Sequence, residues 1–134
     1  MRFFTEDEAN TALAVVRPLT ERLVEARKHF VHVAGRLDEV QRQVAGNGGA
    51  LDPERVRELQ ERAAGAAADV AAAVAELEAL GVQVKDLDWG LIDFPARHPR
   101  RDETVLLCWH LGEGDVQYWH GLEEGFAGRK PLPF

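Results

Sequence analysis

The sequence predicts an α+β fold: a long antiparallel helical hairpin of coiled-coil character, followed by a small three-stranded antiparallel sheet. Three observations carry this. An apolar seam of helical period runs through residues 5–80, a glycine-rich link at Gly46-Asn47-Gly48-Gly49 interrupts it once, and the periodicity switches to two after Gly81. The 134 residues suit a single domain, 1–134, with helix one over 5–45, helix two over 52–80, and sheet and tail over 82–134.

Helix one is signalled by Thr5 followed by Glu8, a capping box, with Glu6 and Asp7 adding negative charge at the positive end of the helix dipole. Positions 12, 16, 19, 23, 26, 30, 33, 37, 40 and 44, taken in steps of four and three, are all apolar. Such spacing averages about 3.5 residues, the period of a coiled-coil seam. Pro18 lacks an amide hydrogen and its ring crowds the carbonyl of Ala14, so a kink or break is expected there, with the first turns folded onto the C-terminal part. Asp52 and Pro53 then suit the N-cap and first position of helix two. Its seam is Val56, Leu59, Ala63, Ala66, Val70, Ala73, Leu77 and Leu80. A short link makes the two helices antiparallel neighbours, with Phe30 opposite Ala66 to Val70.

Beside that seam Ala64, Ala67, Ala71 and Val74 form a second apolar line, which a lone hairpin cannot cover. The line suits self-association or a partner helix; alanine is also the best helix former and harmless in water, so both readings stand.

After Gly81, Val82 and Val84 alternate with polar residues, and Leu91–Phe94, Val105–Leu111 and Val116–His120 read as strands. A tight turn at Gly112-Glu113-Gly114-Asp115 would pair Leu111 with Val116, Trp109 with Tyr118 and Leu107 with His120. Leu107, Trp109, Tyr118 and His120 then share the face turned to the helices. Leu106, Cys108, His110 and Trp119 share the other. The apolar tail, Phe126 to Phe134, is expected to dock on the body or on another chain, fixed by Arg129.

Composition narrows the function. A net charge of −7 disfavours nucleic acid as a partner. The acids near the start, and the lack of any run approaching about 18 apolar residues, speak against a secretory signal and a membrane span. With Cys108 as the only cysteine, a reducing cytoplasmic setting is expected. There is no serine, so a serine nucleophile is excluded.

Chemistry concentrates in the sheet. Cys108 and His110 lie two apart on one strand and can chelate together, and Asp93 is a carboxylate in an apolar strand that needs a partner. Pairing Asp93 with Leu106 puts it with Cys108 and His110, a metal set; pairing it with Leu107 aligns it with His120. One residue of slip decides. Arg129 or His120 could satisfy the acid, and Trp109 and Trp119 add stacking area, so Asp93, Trp109, Trp119, His120 and Arg129 form a candidate binding set. No organic cofactor is indicated; a divalent metal is the one cofactor these residues would allow. Arg97-His98-Pro99-Arg100-Arg101 is the only basic cluster and is offset by Asp102 and Glu103. His29 and His32 flank the helical seam and read as exposed.

The runs Gly90-Leu91-Ile92-Asp93-Phe94-Pro95-Ala96, Leu107 to Glu113, Tyr118-Trp119-His120 and Gly125 to Arg129 resemble an uncharacterised bacterial domain-of-unknown-function family, number 2203. Similarity extends to the Thr5–Asn10 opening and the Val84–Leu87 stretch, nearly the whole chain. The resemblance implies no activity. Gly121 departs from it, since an acid is expected after Trp119-His120; Glu123 and Glu124 are the nearest replacements. The expectation is a cytoplasmic, non-enzymatic interaction or self-associating module acting through helix two. The alternative is a metal-binding or redox-sensing protein using Cys108, His110 and Asp93.

Overall fold

Thr5 and Glu8 cap each other as the sequence requires: each backbone amide donates to the other's side chain at 3.1 Å. From this cap α1 runs Glu6–Asn47, and α2 runs Pro53–Ala79 behind Asp52, whose carboxylate accepts the amides of Glu54 and Arg55. Five strands follow, β1 (Gln83–Asp86), β2 (Leu91–Arg97), β3 (Thr104–His110), β4 (Tyr118–Gly121) and β5 (Lys130–Pro131), with a 3-10 turn at Phe126–Gly128. This computed structural model describes residues 1–47 and 52–134. The expected turn at Gly48 and Gly49 lies outside the described residues.

The helices pack along their seams. Val16, Leu23 and Val33 of α1 and Leu59, Ala66, Ala73 and Leu77 of α2 are buried. An exposed Arg22–Glu76 ion pair, 3.0 Å long, lies on the antiparallel register that sets Phe30 opposite Ala66 to Val70.

At Pro18 the expectation of a break is corrected, for α1 is one 42-residue helix through the proline. Leu13 and Val16 before it and Thr20 and Leu23 after it are all buried, whereas Pro18 faces solvent. Packing on both sides outweighs the lost hydrogen bond. At 1.5 Å per residue α1 is about 63 Å long and the 27-residue α2 about 40 Å. The excess is the N-terminal part of α1, which packs on the sheet as expected, though without a break in the helix.

The sheet has five antiparallel strands in the order β1-β2-β3-β4-β5, not three. Of the two additional edge strands, β1 follows the Val82–Val84 alternation but is only four residues long, and β5, with two residues, is too short to alternate. One face carries Ile92, Phe94, Ala96, Val105, Leu107, Trp109 and Trp119 against Phe4, Ala9, Leu13, Val16, Ala73 and Leu77. Phe4 locks the helix start to β2, donating its amide to the Pro95 carbonyl at 2.7 Å and meeting Phe94 edge-on. Among the described residues no helix is long and apolar enough to cross a membrane.

The β3–β4 register also differs from expectation by one residue. Cys108 pairs with Tyr118, Leu107 with Trp119 and Leu106 with His120. Trp119, not Tyr118 and His120, therefore joins the helix-facing core, and the other two turn to the outer face. The 111–117 segment is no tight hairpin, because α1 holds it. Asn10 accepts the Val116 amide at 2.6 Å, and the Arg17 guanidinium donates to the Glu113 and Gly114 carbonyls. Val116 is buried rather than paired with Leu111. The slip buries the large indole of Trp119 against the helices and leaves the Tyr118 phenol half-exposed.

Candidate functional site

The slip in β4 assembles a group that the sequence reading had divided between two alternatives. Asp93 of β2 pairs directly with Cys108 of β3, which places it on the outer face. The shifted β4 puts His120 on that face too. Asp93 and His120 reach across the intervening β3, Asp93 Oδ2 lying 3.1 Å from His120 Nε2. Asp93, Cys108 and His120 each offer a ligand-type atom within 4.8 Å of the others, and all three are buried. Among the described residues, Asp93 Oδ1 has no hydrogen-bond partner. The Cys108 thiol sits beside the carboxylate, close enough for its S–H to favour the charged acid.

His120 Nδ1 is 2.8 Å from the Gly121 carbonyl oxygen, which can only accept, so Nδ1 carries a proton. Burial raises the Asp93 carboxyl above its ordinary 3.8, against the opposing pull of His120. Burial, and then the Asp93 charge, push the Cys108 thiol up to about 12. At neutral pH it is a neutral thiol, a poor nucleophile.

His110, expected as the third metal ligand, is not in this group. Its Nδ1 lies 2.8 Å from the Leu111 carbonyl oxygen, and its ring packs with Trp89 and Phe126 at the end of β3. Position 110 shares a face with Cys108, but the pleat carries it one repeat away, toward Leu91. Trp109 and Trp119 lie on the helix-facing side of the sheet, opposite the face that carries Asp93 and His120. Trp109 is fully buried with its indole N–H donating to the Gly114 carbonyl, and Trp119 packs edge-on against His98 and beside Phe134.

Arg129 is not the partner of Asp93. Its guanidinium bonds both carboxylate oxygens of Glu113 at 2.8 and 2.7 Å and lies over the rings of Tyr118 and Phe126. Glu113 also accepts the His110 amide at 2.9 Å. This network, invisible in the sequence because Glu113 read as a turn residue, fixes the tail as Arg129 was expected to do. Phe126 reaches across to Trp89, 5.6 Å away, so the tail crosses the outer face.

Glu124 accepts the Gly121 amide at 3.0 Å and the Lys130 ammonium at 2.6 Å, closing the 121–130 loop on itself. Of the basic cluster, Arg97, Arg100 and Arg101 are exposed, while His98 is buried. His29 and His32 are exposed. On α2, Ala64, Ala67 and Ala71 are exposed and Val74 is half-buried against the core.

The chain belongs to the family of uncharacterized conserved proteins DUF2203, whose model matches residues 2–132. No curated protein and no solved structure matches it.

Proposed function

We propose that the protein is a non-enzymatic self-associating module in which the helical hairpin pairs with a second copy to make a four-helix arrangement. The observation that carries this is the uncovered apolar face of α2. Between Ala63 and Ala75 the only charged residue is Asp69, yet only Ala66 and Ala73 in that stretch are buried. A helix that is apolar nearly all round is normally enclosed. The distal hairpin is also thin: among the described residues, the buried cluster that includes the sheet takes nothing from α1 beyond Leu23 and nothing from α2 before Ala73. Past those points two helices share a single seam, with Val33, Leu59 and Ala66 buried and Phe30, Leu37 and Val56 half-buried. Two helices alone do not enclose a core, and a second pair laid on this face would complete it. A lone buried cysteine and the absence of any disulfide fit a reducing setting such as the cytoplasm.

Sedimentation equilibrium of the purified chain tests the reading. The expected result is a dimer or higher oligomer that Ala67→Glu with Ala71→Glu converts to a monomer of unchanged helical circular dichroism. A wild-type chain that remains monomeric at high concentration refutes it.

A further inference from the structure

We propose that Asp93, Cys108 and His120 form a binding site for a divalent transition metal of zinc's class, built on the outer face of the sheet and separate from the helical hairpin. The ring of His120 carries the argument. Because Nδ1–H is spent on the Gly121 carbonyl, a neutral imidazole presents the Nε2 lone pair straight at Asp93 Oδ2, 3.1 Å away. Two acceptors do not rest at that separation without a positive charge between or beside them. A proton meets the need of that pair but leaves Asp93 Oδ1 buried and unpartnered. A metal ion meets it for all three side chains at once.

The spacing suits such an ion. Ligand atoms about 2.0–2.3 Å from a tetrahedral zinc lie about 3.3–3.8 Å from one another. The carboxylate–imidazole edge is already that short, and the whole group, within 4.8 Å, needs to close by about an ångström. Anchoring the distal ring nitrogen on a backbone carbonyl is the usual outer-shell support of a metal-bound histidine. One thiolate, one imidazole and one carboxylate favour zinc, cobalt or a similar borderline ion over magnesium or calcium. Three protein ligands leave a fourth position for solvent or a small anion.

Charge closes as well. A divalent ion would displace the thiol proton of Cys108 and bind the thiolate, the carboxylate and the imidazole. Two anionic ligands and one neutral ligand around a divalent cation leave a neutral buried centre, and binding releases protons.

The test uses the purified full-length chain, stripped with chelator and titrated with Co²⁺. The expected result is one ion per chain, a sulfur-to-cobalt charge-transfer band, displacement by Zn²⁺ and a zinc-dependent rise in melting temperature. Cys108→Ser should abolish the band and His120→Gln should weaken affinity at least tenfold, while His110→Gln should bind as wild type. Failure of the wild type to bind a stoichiometric ion, or a spectrum without the thiolate band, overturns the proposal even if a variant fails to fold. So does a His110→Gln defect as large as that of His120→Gln.

Discussion

Gly90 sits where the chain enters β2 against α1, and alanine there should be among the more damaging single-methyl additions in this protein. Its φ is +69°, and an added Cβ would lie 2.6 Å from Thr20 Cγ2, 3.1 Å from Val24 Cγ2 and 3.2 Å from Leu111 Cβ. The left-handed backbone costs a non-glycine residue about 1–2 kcal/mol. Forcing a methyl into a packed site adds about 1–3 kcal/mol. Thr20 cannot swing its methyl aside cheaply, because its buried hydroxyl donates to the Val16 carbonyl at 2.7 Å. The expected loss is therefore about 2–5 kcal/mol. Gly112 supplies the control: its φ is +104°, but nothing lies within 4 Å of an added Cβ, so alanine there carries the backbone cost alone. Thr20→Ser removes the clashing methyl and keeps the hydroxyl. In the Gly90→Ala background it should recover about 1–3 kcal/mol relative to its effect in the wild type. Urea unfolding at fixed protein concentration and constant m-value measures all four variants. If Gly90→Ala is no worse than Gly112→Ala, or shows no coupling to Thr20, the packing of β2 on α1 described here is wrong.

Two further outcomes follow from individual side chains. His98 is buried between Trp119 and Phe134 and accepts the Arg100 amide at Nδ1, and burial lowers its pKa below the ordinary 6.5. The unfolded chain then takes up the proton first. The His98 contribution to stability is full above pH 6.5 and is lost as the pH falls below it. Between pH 7 and 5 the wild type should lose more stability than His98→Gln, which keeps an acceptor and cannot protonate; equal slopes in denaturant melts would contradict this. The Glu113–Arg129 pair has side chains only 18% and 11% exposed, so Glu113→Ala strands a nearly buried guanidinium and should cost about 2–3 kcal/mol. Glu103→Ala, breaking the exposed Arg101 pair, should cost under about 1 kcal/mol, both variants being read by urea unfolding.

The sequence by itself determined the elements whose signals are local. The reciprocal Thr5–Glu8 cap, the Asp52–Pro53 start of α2 and both helical seams need only neighbours three and four residues apart, and all are present. So are the three central strands and the exposed line of Ala64, Ala67 and Ala71. The same residues also identified the family, since its motifs lie on β2, β3, β4 and the tail.

What only the tertiary structure decided is the pairing between strands, and with it the site. A side-chain period of two makes a one-residue slip invert every face. The usual guide, one apolar and one polar face, is missing because residues 92–96 and 105–109 are buried on both sides. The deciding contacts are distant in sequence: Asn10 and Arg17 hold the 111–117 segment, and Trp119 packs against His98 and Phe134. They bring His120 to Asp93 and Cys108 and leave His110 outside. Pro18 teaches the same lesson from the helical side. Its local penalty was legible, but burial of Leu13, Val16, Thr20 and Leu23 on either flank, a non-local gain, keeps the helix whole.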